Sequence, residues 1–226
     1  MNGRVVRPEL LESAASSAIK RNLQDLARIN RWFGGHLSLL QVFKRLVHPA
    51  DKFSVLDVGA ASGDMGAEIR KAYRSAFVVS IDHRIVHLDR AVPPRVVANA
   101  PSLPFRDGSF DFVLCSLLLH HFSDRCAATL IAELLRFTRR ALIILDLDRH
   151  PISYSFLPLT SWLFRWSQLT VHDGRTSVAA GFKANELQKI VRQAGAKKAE
   201  IRRHWPWFRI SAVIHTSPPH FRTTSN

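Results

Sequence analysis

The stretch VLDVGAASGD, Val55 to Asp64, decides the fold. It starts inside an apolar run over 53–58, turns on Gly59 and Gly63, and enters a helical pattern from Asp64. Strand, glycine turn and helix in that order bring a ligand against bare backbone at a helix N-terminus. Asp57 puts a carboxylate at the C-terminal end of the strand, where open α/β sheets bind their ligands. A second strand, expected over 76–81, ends in Asp82, 23 residues beyond Gly59. An acidic residue about 20 residues past such a turn is placed to accept hydrogen bonds from ribose hydroxyls.

Outward from this stretch the pattern alternates. The spacing predicts helices over 64–74, near 86–90 and over 124–139, with strands over 95–98, 110–116 and 141–147. Alternation of this kind gives an α/β, doubly wound, mostly parallel sheet. After a helix over 183–194, closed by Gly195, two strand-like runs follow over 198–204 and 208–215. The tight Trp205-Pro206-Trp207 link makes them an antiparallel hairpin, which completes seven strands. Before the core, residues 8–33 read as one or two amphipathic helices and 39–47 as another. Arg28, Asn30, Arg31 and Trp32 either reach the ligand pocket or simply finish a helix end.

Residues 148–182 exceed an ordinary connection. They carry Tyr154, Phe156, Trp162, Phe164 and Trp166, with an apolar helical stripe through Leu159, Trp162, Leu163, Trp166 and Leu169. A single domain is expected, with a helical segment capping the core over 1–50, a ligand-binding α/β core over 51–147 and a helical insert over 148–182. The C-terminal helix and hairpin occupy 183–216, and a polar tail 217–226.

The formal charge is +14. Residues 53–150 hold twelve basic and eleven acidic side chains, whereas 1–52 hold nine and four, and 151–226 hold eleven and three. The core is nearly neutral between two basic flanks. Such flanks suit nucleic acid or an anionic membrane surface, and equally suit plain solubility. The two cysteines, Cys115 and Cys126, have no metal-ligand spacing, and no metal site is expected. With no apolar secretory core in the first 30 residues, a cytoplasmic, reducing compartment is expected, with peripheral membrane contact open.

VLDVGAASGD, then VVSIDHR, then ANAPSLPFRDGSFDFVLCSLLLHHFSD resemble the successive motifs of class I S-adenosylmethionine-dependent methyltransferases. The similarity is to the small-molecule branch that includes quinone-biosynthesis enzymes, and it spans roughly 53–150. Ala61 stands where many members have the middle glycine of the turn. The resemblance implies S-adenosyl-L-methionine as cofactor. It implies contacts to that cofactor from Asp57, Gly59, Ala60, Ala61, Gly63, Asp82, His83, Asn99, Ala100 and Ser116. It also makes the 148–182 insert a substrate lid, with Tyr154, Trp162 and Trp166 over an apolar acceptor. His120 and His121 are the catalytic candidates; in the resembled enzymes a histidine followed by two residues and then Ser-Asp supplies the base, which implies that His120 takes the acceptor proton. An imidazole with its ordinary pKa is largely neutral at pH 7 and suits that task.

Two other readings compete. A short-chain dehydrogenase would need Tyr-x-x-x-Lys, but Tyr73 is followed four residues on by Phe77 and Tyr154 by Pro158. An RNA methyltransferase would use the basic flanks. Enzymes acting on base amines carry Asn/Asp-Pro-Pro-aromatic after the fourth strand, and Ser116-Leu117-Leu118-Leu119 stands there instead. The reading is therefore O- or C-methylation of an aromatic, polyketide-like or isoprenoid small molecule, with RNA as the alternative.

Overall fold

The computed structural model describes residues 3–100, 102–196 and 198–216; the expected tail over 217–226 lies outside them. Five strands run parallel: β1 (Phe53–Val58), β2 (Ala76–Asp82), β3 (Arg95–Val97), β4 (Phe110–Ser116) and β5 (Thr138–Leu147). The hairpin β6 (Ala199–His204) and β7 (Arg209–His215) joins β5 antiparallel, giving the order β3-β2-β1-β4-β5-β7-β6. Among the described residues, seven α-helices surround the sheet: α1 (Ser16–Trp32), α2 (Gly35–Phe43), α3 (Asp64–Ala72), α4 (Asp124–Arg136), α5 (Pro151–Phe164), α6 (Gln168–Ala180) and α7 (Ala184–Gln193).

The strands read as near-continuous apolar runs because both faces of the sheet are covered. Leu56, Val113, Cys115 and Ile144 pack against α4 and α7 on one face. Val55, Phe112, Leu114 and Ile143 pack against α2 and α3 on the other. The strand order reverses between β1 and β4, so a crevice opens at their C-terminal ends.

Several boundaries differ from the sequence expectation, among them the start of α1, which is Ser16 rather than residue 8. The helix expected over 124–139 stops at Arg136, since Thr138 turns its hydroxyl back to the Leu134 carbonyl and pairs with Phe110. The polar Thr138-Arg139-Arg140 disguises the start of β5. α3 stops at Ala72, and Tyr73 folds its ring inward against Phe43 and Phe53. α2 begins at Gly35 rather than Leu39.

The insert forms α5 and α6. His150 caps α5 by accepting from the Ile152 amide, and Ser167 caps α6 through the Thr170 amide. The apolar stripe expected to lie over the pocket divides. Trp166 is buried, its ring stacked on Phe164 and edge-on to Phe33. Leu159, Trp162 and Leu163 face outward, with Trp162 79% exposed.

Gly34 links α1 to α2 with φ +78°, and a Cβ there would lie 2.0 Å from Trp207 Cγ. Trp207, at the hairpin tip, thereby seats on the helical cap. Gly34→Ala should cost about 1–3 kcal/mol through left-handed strain and this clash. A fall in melting temperature checks it; an unchanged transition would mean that the tip does not need this contact.

Candidate active site

One cavity of about 830 Å³ opens at the C-terminal ends of β1, β2, β4 and β5. Its two halves differ in chemistry. On the glycine-turn side the lining includes Gly59, Ala61, Asp82, His83, Asn99 and Ala100. On the insert side it includes Phe33, Phe156, Leu157, Trp207 and Phe208, with His120 and His121 between.

Asp82 ends β2 and is braced from several directions. It accepts from the amides of Ala61 (3.1 Å) and Arg84 (3.1 Å), and His87 Nδ1 lies 2.9 Å away. Burial works against its charge, but His87 and the two amides outweigh it and hold the carboxyl below its ordinary range. Ala61 has φ 47°, a left-handed conformation that a glycine would adopt without strain. Asp57 is different. Both its oxygens are buried without a hydrogen-bond partner. Burial, then the charges of Asp64 and Asp82, push it up to about 7, only partly offset by the Gly66 backbone.

The junction is built on Asp146, near the end of β5 and fully buried. Its Oδ1 receives His120 Nδ1–H at 2.8 Å, and its carboxylate also accepts from the amides of His120 and Leu147. The Nε2 of His120 lies 3.8 Å from Glu9 Oε1. Burial opposes charge on His120, but Asp146 and Glu9 outweigh it and hold its pKa up at about 9. A pKa raised in this way favours the charged ring at pH 7, where an ordinary imidazole is largely neutral. Burial, helped by the His120 cation, pulls His121 down to about 4, so that ring is neutral.

Two groups of side chains bring ligand-type atoms within 4.8 Å of one another: Glu9, His120 and His121, and Asp82, His83 and His87. In both, a histidine is already bonded to a carboxylate, at Asp146 or at Asp82.

The chain matches a family model described as a methyltransferase domain over residues 56–143. That span runs from the glycine-turn strand into β5 and contains His120. The match is to a methyltransferase domain over this central part of the chain, the part where the sequence resembles class I S-adenosylmethionine-dependent methyltransferases. Among curated relatives, the chain is 34% identical over 70 residues to a malonyl-[acyl-carrier protein] O-methyltransferase of Coxiella burnetii, covering 31% of this chain and 25% of that one. It is 29% identical over 165 residues to the O-methyltransferase cnsE of Penicillium expansum, covering 68% of this chain and 55% of that one. The chain therefore spans a quarter to about half the length of these two relatives. Among solved structures, the plantazolicin methyltransferase BpumL in complex with SAH superposes with a TM-score of 0.69 at 14% identity, covering 92% of this chain and 93% of that one. That likeness speaks to the fold.

S-adenosyl-L-methionine is the cofactor that the sequence resemblance implies, and the residues present fit it. A braced carboxylate suits ribose hydroxyls, the Asn99 side chain lies along the same wall, and Asn30 Oδ1 is buried and unpartnered at the cavity. Of the residues expected around the cofactor, Gly59, Ala61, Asp82, His83, Asn99 and Ala100 line the cavity. Asp57, Ala60, Gly63 and Ser116 lie behind the lining. Ala60 packs on Leu88 and Ala91, and Gly63 caps α3. Of the aromatics expected over the acceptor, Tyr154, Trp162 and Trp166 are absent from the lining; α5 contributes Ser153, Phe156 and Leu157 instead, and α6 adds residues that include Asp173 and Val178. Both histidines are present there.

A cap over 1–50 was expected, but not the residues ahead of α1 that close the cavity. Residues before α1 cross the cavity as a strap that carries Glu9, Leu11 and Glu12 into its lining. Asp173 of α6 accepts from the amides of Leu10 (3.0 Å) and Leu11 (2.9 Å), and Arg84 donates to the carbonyls of Leu11 and Glu12. Arg4 pairs with Asp124 and donates to the carbonyls of Ala180 and Phe122. Asp146 did carry a signal, since a carboxylate ending an apolar strand repeats the pattern of Asp57. Asp173→Ala should strip two amides of their charged acceptor, about 1–3 kcal/mol, and free the strap before the global fold fails. Limited proteolysis should then cut ahead of α1 in the variant alone. Equal resistance in both proteins would show that Asp173 does not hold the strap.

Proposed function

We propose that this protein transfers a methyl group from S-adenosyl-L-methionine to an oxygen of a small, largely apolar acceptor. The observation that carries this reading is the continuity of one cavity from the glycine turn, past the His120–Asp146 pair, into an aromatic-lined chamber. The chamber walls hold the acidic Glu9 and Asp173 beside several aromatic and aliphatic side chains, a poor lining for RNA phosphates. The named curated relatives are both O-methyltransferases, which supports oxygen as the methylated atom.

When bound, S-adenosylmethionine supplies a methyl group on a sulfonium, open to direct displacement. Gly59 and Ala61 would offer backbone to it, Asp82 its carboxylate to the ribose, and Asn99 and Ala100 a border to the adenine. Phe33, Phe156 and Leu157 would exclude water and align the acceptor, which is most of what a displacement requires. His120 is fixed by Asp146 with Nε2 turned toward Glu9. As an imidazolium it donates a hydrogen bond to the acceptor oxygen and favours its ionised form, so that the hydroxyl proton leaves before or as the methyl moves. The proton leaves to solvent through the open cavity; His121, held at about 4 by burial and the His120 cation, stays a neutral hydrogen-bonding ring on the same wall.

Asp82→Ala should weaken S-adenosylhomocysteine binding by about ten- to a hundredfold, read by calorimetry. Unchanged affinity would remove Asp82 from the cofactor site.

The pH profile separates an imidazolium role from a general base. The His120 pKa is raised, so the cation persists through neutral pH and is lost as pH rises through about 9. In methyl-transfer assays against phenolic acceptors, kcat/KM should stay level near pH 7 and fall above that value. His120→Gln should lower kcat/KM by about 10²–10³ and abolish the alkaline limb. A wild-type profile that instead declines toward acid, with a limb lost in His120→Gln, would make His120 a base.

A further inference from the structure

Arg209, the first residue of β7, is 6% exposed and lines the cavity. Among the described residues its guanidinium makes no hydrogen bond and no ion pair, and its Nε is fully buried and unpartnered. Asp146 is near enough for its charge to be felt, yet its oxygens serve His120 and two backbone amides. Burial draws the guanidinium down to about 10, still charged at neutral pH. A buried arginine offers five donors in a fixed planar fork, and leaving them unused is costly. Such a group, turned to a cavity, matches a planar oxyanion that accepts two parallel hydrogen bonds.

Its place in the sheet says which ligand. The glycine turn and Asp82 belong to β1 and β2, whereas Arg209 sits on β7, beyond β4 and β5. It pairs with Leu147 at the end of β5, next to Asp146, and neighbours Phe208 and Trp207 in the lining. Arg209 therefore lies on the acceptor side of His120. We infer that the acceptor carries a carboxylate, gripped by Arg209, at a point separate from the oxygen presented to His120. This inference rests on the acceptor chamber proposed above. It narrows the substrate class to hydroxylated aryl or alkyl carboxylic acids with an apolar body against Phe156, Leu157 and Phe208. A bidentate grip would also fix the direction in which the acceptor enters, leaving its hydroxyl toward the histidine.

The test uses binding first, so that it stands apart from turnover. With the enzyme saturated in S-adenosylhomocysteine, a panel of hydroxylated aryl and alkyl carboxylic acids is titrated against their matched primary amides. Wild type should bind at least one acid tenfold or more tightly than its amide. Arg209→Met, close in length and apolar, should erase that preference, leave cofactor affinity unchanged and not lower the melting temperature. Arg209→Lys should restore part of it. For any acid that is turned over, Arg209→Met should raise KM far more than it lowers kcat. The inference fails if wild type shows no acid-over-amide preference, or if the preference survives in Arg209→Met. It also fails if the variant loses cofactor affinity, which would assign Arg209 to the cofactor's own carboxylate, or if its melting point drops, which would give it a structural partner. Failure of turnover with binding intact would instead count against the methyl-transfer reading.

Discussion

The His120–Asp146 hydrogen bond joins the sheet to the cavity. Asp146 is buried on β5, and its oxygens are satisfied by His120 and by backbone amides of Leu147 and of His120 itself. That contact fixes the turn after β4 against the end of β5, and with it the wall between the two halves of the cavity. A buried carboxylate without the histidine would be an uncompensated charge, a loss of about 3–5 kcal/mol. The histidine without the carboxylate would lose both its orientation and its proton. The two residues are 26 apart in sequence and come together because β4 and β5 are adjacent parallel strands.

Around this pair the cavity is assembled from parts that need one another. The glycine turn opens the floor at the reversal of strand order. α5 and α6 raise one wall, the hairpin tip another, and the strap ahead of α1 closes the top with Glu9 toward His120. Because Glu9 contributes to holding the His120 proton, the roof takes part in the electrostatics of the site. A ligand that shifts the strap would change the charge on His120 as well as the shape of the chamber.

The core was legible because local signals and global packing agree there. The run over 53–58, the glycines and Asp82 each announce a strand end or a turn through backbone requirements that hold in any context. The lid was half legible. Periodicity in 151–164 reveals that Leu159, Trp162 and Leu163 share a face, but not which neighbour covers it, and none of the described residues does. Glu9 and Arg209 were not legible at all. A glutamate in a polar leader and an arginine opening a strand resemble dozens of solvated charges until the fold buries them. The protonation of His120 was likewise invisible, since it depends on two carboxylates from distant segments.

The central claim is that His120 is a cation at neutral pH, held so by Asp146 and Glu9. Imidazole ¹⁵N and ¹³C chemical shifts of histidine-labelled protein, followed against pH, measure this directly. The account predicts one buried histidine that stays protonated through pH 7 and titrates near 9, and whose pKa falls sharply in Asp146→Asn. A His120 signal already neutral at pH 7, or one unmoved by Asp146→Asn, would contradict it.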